Sequence, residues 1–159
     1  MNYIKIATFS ISLCCITLLS AQDAANALPK VFELGKYEEA YELAKQDYAQ
    51  NLLSACNNDM KAAFDNWLGM MKELEAYAGR INFDLKGVKM RLHVFWNTDG
   101  MIEHIGFVVR PDSRNARTEE LSALFSSFMR QYKFPLTSTQ KYAHYTLASF
   151  PTFSEPTKQ

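Results

Sequence analysis

Few residues in this chain could do chemistry, and none has the spacing that a reactive site requires. The three histidines, His93, His104 and His144, are the natural candidates for metal ligation or proton transfer. His93 and His104 would stand near each other across a hairpin, and His144 lies on a later strand. None shows the i, i+4 or short-loop spacing of a metal motif, and His93 falls on the polar, outward-facing set of its strand. Cys14 and Cys15 sit in an apolar N-terminal run, so Cys56 is the only thiol beyond it. With no histidine near it in sequence, Cys56 reads as a small buried hydrophobe rather than a nucleophile. An odd cysteine in an oxidising compartment could alternatively bridge two chains. There is no Gly-x-Ser-x-Gly elbow, and the six glycines are scattered singly, which excludes a phosphate-cradling loop. The paired carboxylates Glu38–Glu39 and Glu119–Glu120 belong on solvated helix faces. The expectation is a protein without catalytic residues, metal or cofactor.

One polar cluster could bind an anion. Arg110, Asp112, Ser113, Arg114, Asn115 and Arg117 precede a predicted helix, whose first N–H groups and dipole favour negative charge. Arg110, Arg114 and Arg117 could together hold a phosphate or carboxylate. The competing arrangement has Asp112 and Asn115 stabilising the loop while the arginines are solvated or pair with Glu119 and Glu120.

The elements that would position these groups follow from pattern. The chain has 159 residues, is 48% hydrophobic and has a formal net charge of zero, which fits one domain with a real core and disfavours nucleic-acid binding. Lys5, the apolar stretch Ile6–Leu19 and the small-residue exit Ser20-Ala21 make residues 1–21 a secretory leader. From Leu28 to Leu53, Tyr37, Ala40, Tyr41, Ala44 and Tyr48 recur at helical spacing after Pro29 and predict a helix. Asn57, Asn58 and Asp59 are candidate caps for a second helix with the stripe Met60, Ala63, Phe64, Trp67, Leu68, Met71, Leu74 and Ala78, ending near Gly79. The period then changes to two: Val88, Met90, Leu92, Val94 and Trp96 alternate with polar residues as a strand. Asn97-Thr98-Asp99-Gly100 predicts a tight turn. In the return strand, Met101–Arg110, a bulge near Glu103 and His104 must reset the alternation. Thr118 is a candidate cap for a helix with the stripe Leu121, Leu124, Phe125, Phe128 and Tyr132, and Tyr142–Phe150 reads as a last strand. The fold class expected is α+β: two N-terminal helices in segment 22–80, then a small antiparallel sheet of β-β-α-β order in 81–153, with a polar tail at 154–159.

The alternating strand, Asp99-Gly100, Ile102–Val109, Leu121–Tyr132, Phe134-Pro135 and Tyr142–Phe150 together resemble the C-terminal domain of TonB-like proteins, over Gly87–Phe153. The leader with its Ala21-Gln22 exit is similar to those of Bacteroidetes-type exported proteins that carry solitary modules of this kind. The chain lacks the long Pro- and Lys-rich linker of energy-transducing members. The resemblance implies a non-enzymatic periplasmic or secreted module of the cell envelope. In such domains a partner segment adds to an open sheet edge through main-chain hydrogen bonds. The last strand, through Tyr142, His144 and Thr146, is the expected acceptor, and Thr146→Pro the expected disrupting change. The partner would be an envelope protein or a second copy of the chain, with no nucleic acid and membrane contact only through the cleaved leader. The alternative is a periplasmic carrier of a small apolar ligand or lipid, in a pocket lined by Trp67, Met71, Trp96 and Phe107.

Overall fold

The computed structural model describes residues 27–152; the expected leader and the polar tail lie outside them. The period-two run folds as β3 (Lys89–Trp96), with Met90, Leu92, Val94 and Trp96 at most 1% exposed. The turn after it forms as the Asn-Thr-Asp-Gly run demands. Gly100 adopts φ +82°, and Asn97 Oδ1 accepts from the N–H groups of Asp99 (3.0 Å) and Met101 (2.9 Å). A Cβ at Gly100 would collide with the carbonyl oxygens of Phe134 and Leu136, so glycine is required there for space as well as for conformation. The chain returns as β4 (Ile102–Val109), antiparallel to β3. Phe95 pairs with His104 while Trp96 pairs with Ile102, which leaves Glu103 as the extra residue of a bulge. That bulge restores Ile102, Ile105 and Phe107 to the core face, as their odd spacing requires. On the other side of β3 lies β5 (Tyr142–Ser149), also antiparallel, in continuous register from Lys89↔Ser149 to Trp96↔Tyr142.

The expected fold class is corrected at the N-terminal side. The protein is α+β, but its sheet is five-stranded and mixed, with β1 (Val31–Glu33) and β2 (Gln50–Asn51) at its borders in the order β1-β4-β3-β5-β2. The two outer strands come from the segment expected to hold two helices only. In place of one helix over Leu28–Leu53 the chain makes β1 (Val31–Glu33), α1 (Glu38–Lys45), β2 (Gln50–Asn51) and α2 (Leu52–Ala55). Strand β1 runs parallel to β4, Val31↔Ile105 to Glu33↔Phe107, and β2 runs parallel to β5, Gln50↔Tyr142 and Asn51↔Ala143. The tyrosine stripe is real only within α1, none of whose residues is buried. What overrides it at β1 is a distant partner. Gly106 leaves bare backbone on β4, and Phe32 fills the space; a Cβ there would lie 2.7 Å from Phe32 Cζ and 2.9 Å from Leu34 Cδ2. Pairing to a strand so far along the chain leaves no local periodicity to detect.

The core lies on one face of the sheet, under two helices. Helix α3 (Met60–Arg80) is capped by Asp59, whose side chain accepts from the Ala62 N–H (3.0 Å). It buries Ala63, Met70, Met71, Leu74, Tyr77 and Ala78, whereas Met60 and Phe64 of the expected stripe turn outward, 66% and 60% exposed. Helix α4 (Thr118–Phe128) buries Leu121, Leu124, Phe125 and Phe128, with Phe125 packed 5.3 Å from Phe107. The expected cap Thr118 is instead the first helical residue; Arg117 occupies the cap position without a side-chain bond. The opposite face of the sheet is only partly covered, by α1 and the rings of Tyr41 and Tyr48 against His93 and Phe95.

Candidate functional site

The direction of each peptide group in β5 is fixed by its pairing to β3. The Phe150 N–H donates to Val88 O (3.0 Å), and the register is unbroken from there to Trp96↔Tyr142. Antiparallel strands alternate bonded and non-bonded pairs. Ala148, Thr146, His144 and Tyr142 therefore turn their N–H and C=O groups inward to β3. Ser149, Leu147, Tyr145 and Ala143 turn theirs to the opposite side. The two other edges of the ladder obey the same parity. Lys89 O accepts from Arg110 N–H (2.9 Å), and β4 presents Ile105 and Phe107 outward to the N-terminal chain, with Ile105 N–H on Lys30 O (2.8 Å) and Phe107 O accepting from Leu34 N–H (2.9 Å). Strand β2 covers the outward side of β5 only at Tyr142 and Ala143. From Tyr145 to Ser149 the outward N–H and C=O groups make no hydrogen bond to another described residue. This is an open edge.

Side chains divide by the same parity. Tyr142, fully buried, stacks on Trp96 (centroids 5.2 Å apart) and donates its hydroxyl proton to Leu136 O (2.9 Å). Burial holds its phenol well above the usual tyrosine range. His144 packs edge-on against Trp67 of α3 (4.8 Å), and its desolvation lowers its pKa. Thr146 is half-buried on the same face. Tyr142, His144 and Thr146 are thus held by the core side, and the Thr146 N–H serves the β3 ladder, so proline at Thr146 would damage the sheet itself. The groups that face outward are those of Tyr145 and Leu147, whose side chains are 52% and 54% exposed, and of exposed Ser149. Sequence alternation, stepping back by two from Phe150, assigns Ala148, Thr146, His144 and Tyr142 to the core face; the side to which their peptide groups point is set only by the pairing to β3.

The arginines do not converge. Arg110 pairs with Asp112 (2.9 Å), Arg114 with Asp84 (2.7 Å) and Arg117 with Glu120. Arg114 and Arg117 border a groove of about 800 Å³ between the Ile81–Asp84 turn and α4, which Arg110 does not reach. Arg114 and Arg117 already have their carboxylates, the arrangement that competes with anion binding; Arg130, from just past the far end of α4, also lines the groove.

The histidines are also kept apart. His104 donates from Nδ1 to the Pro29 carbonyl (3.0 Å), and His144 faces α3. His93 is not on a solvated face as expected: it is 9% exposed, beneath α1, with Tyr41 Oη 2.8 Å from Nδ1 and the Phe95 ring 4.0 Å away. Burial, with the Lys45 ammonium and His144 adding to it, pushes His93 down to about 4 from an ordinary 6.5. No group of three or more His, Cys, Asp or Glu among the described residues is placed to hold a metal ion. Cys56 is buried, with Asn66 Nδ2 3.8 Å from its sulfur. Of the residues proposed to line a carrier pocket, Met71, Trp96 and Phe107 are packed shut, at most 4% exposed. No helix of the described residues is long and apolar enough to cross a membrane. No family model matches this chain, nor does any curated protein or solved structure.

Proposed function

We propose that this chain is a non-enzymatic interaction module of the cell envelope, exported by its leader, which takes an extended protein segment onto the free side of β5. One observation carries the reading: Tyr145, Leu147 and Ser149 turn backbone donors and acceptors outward with no partner among the described residues. A row of unpaired peptide groups is a template for another strand, and natural proteins usually blunt such a row with charge or proline. Here the strand is uncharged throughout, and Pro151 comes only after it ends. Exposed Tyr145 and Leu147 offer apolar contact beside the peptide groups, which would give an incoming strand side-chain selectivity as well as main-chain affinity.

Leu147→Pro deletes one outward donor and no inward one. The expected result is a folded protein, by circular dichroism, that no longer captures its envelope partner. In the unsubstituted protein the amides of Tyr145, Leu147 and Ser149 should exchange quickly when free and slow by at least tenfold in the complex. Capture undiminished in folded Leu147→Pro, or no slowing at these three amides, overturns edge pairing.

A further inference from the structure

We infer that the occupant of this edge is a second copy of the same edge, joined antiparallel about a two-fold axis through Leu147. The inference rests on the reading of β5 as an acceptor and specifies its partner.

The parity of the strand allows it. In an antiparallel pair, bonded positions must be outward-facing on both chains. With Leu147 opposite Leu147 of the second copy, Tyr145 falls opposite Ser149 and Ser149 opposite Tyr145. All three are outward-facing, so every open N–H finds an open C=O. A register shifted by one residue would set outward groups against inward ones already committed to β3.

The ends of the open stretch match the ends of the joint. At one end β2 occupies Tyr142 and Ala143. At the other, the chain leaves the strand after Phe150, where Thr152 N–H turns to Glu75 Oε2 of α3 (2.8 Å). A second copy running antiparallel would bring its Pro151 opposite Ala143, where β2 and the α2 turn that follows it already lie against β5, so the joint is confined to Tyr145–Ser149.

Charge also permits the joint. No residue from Tyr142 to Ser149 is charged at neutral pH with His144 neutral, so self-pairing sets no like charges against each other. The central contact is Leu147 on Leu147, flanked by the Tyr145 rings, while on the other face Thr146 meets Ala148. Two sheets of five would become one of ten. A joint this short gives an association that depends on concentration rather than an obligate dimer.

The full chain, expressed with its leader, carries the test. Copper-catalysed oxidation of Leu147→Cys should give disulfide-linked dimers. Tyr145→Cys and Ser149→Cys should cross-link when mixed and at least fivefold less when each is alone. Cys56, 6% exposed, stays out of the reaction, and Cys14 and Cys15 of the leader are changed to Ser in every variant. In sedimentation, the unsubstituted protein should dimerise with rising concentration, and Leu147→Lys, which sets two ammonium groups face to face at an exposed site, should stay monomeric and folded. A monomer at all concentrations, or Tyr145→Cys alone linking as well as Leu147→Cys, overturns the self-pairing. If that monomer still loses another envelope partner on Leu147→Pro, the acceptor edge stands and only its occupant was misassigned. If a dimer persists unchanged in folded Leu147→Pro, both fall.

Discussion

At the scale of single residues, His93 is the group whose burial has a measurable consequence. Its pKa sits at about 4 in the folded protein and near 6.5 when exposed. The unfolded chain therefore takes up a proton first as pH falls. The stability contributed by neutral His93 is complete above 6.5 and is lost between there and 4. His144, lowered by burial alone, acts with the same sign. Asp84, held down chiefly by the Lys86 N–H, and Asp112, held down chiefly by the Lys89 ammonium, lose their contribution only as pH falls below the carboxylate range. Between pH 7 and 5 the histidines are read almost alone. Urea unfolding over that window should show a loss of about 2 kcal/mol from His93 by pH 5. His93→Gln, which keeps a partner for Tyr41, should remove most of the slope. A slope unchanged in His93→Gln would place the titrating group elsewhere.

At the scale of elements, β1 depends on what Gly106 lacks. Gly106→Val would drive its side chain into Phe32 and Leu34, at a cost of about 2 kcal/mol by overpacking. The amides of Leu34 and Ile105, bonded to Phe107 O and Lys30 O, should lose exchange protection while those between β3 and β5 keep theirs. Equal protection in the variant would mean that β1 is held by something other than this contact. The same strand explains what the sequence could and could not disclose. Helices α3 and α4, the hairpin and its bulge were legible, because each rests on local periodicity, a capping residue or a turn glycine. Strands β1 and β2 were not, since three and two residues carry no period, and their strand character comes from β4 and β5. His93 was misplaced for the related reason that the polar face of β3 meets α1, a helix whose own pattern says nothing of what it covers. On β5 the strand itself was legible, but the acceptor groups were assigned to Tyr142, His144 and Thr146 because side-chain alternation was read without the direction of the peptide groups.

At the scale of the whole molecule, β5 is the piece that completes the sheet. It pairs with β3 along its full length, holds β2, and supplies Tyr142 to the Trp96 stack. A chain stopped after Gln140 should therefore show no cooperative unfolding transition and no near-ultraviolet dichroism from Trp96, while removal of residues 154–159 should leave both intact. A cooperative transition in the shorter fragment would show that β3, β4 and the helices suffice. The way β1, α1 and β2 pass from one border of the sheet to the other also dictates a timetable. Val31 waits for Ile105 and Gln50 waits for Tyr142, so β1 finds its partner only after about two thirds of the polypeptide is made and β2 only when nearly all of it exists. Closing such long loops is slow. For a protein exported as proposed, that delay keeps the thread open while it is being handed to the translocation machinery, and the final strand acts as the clasp that fastens it on the far side.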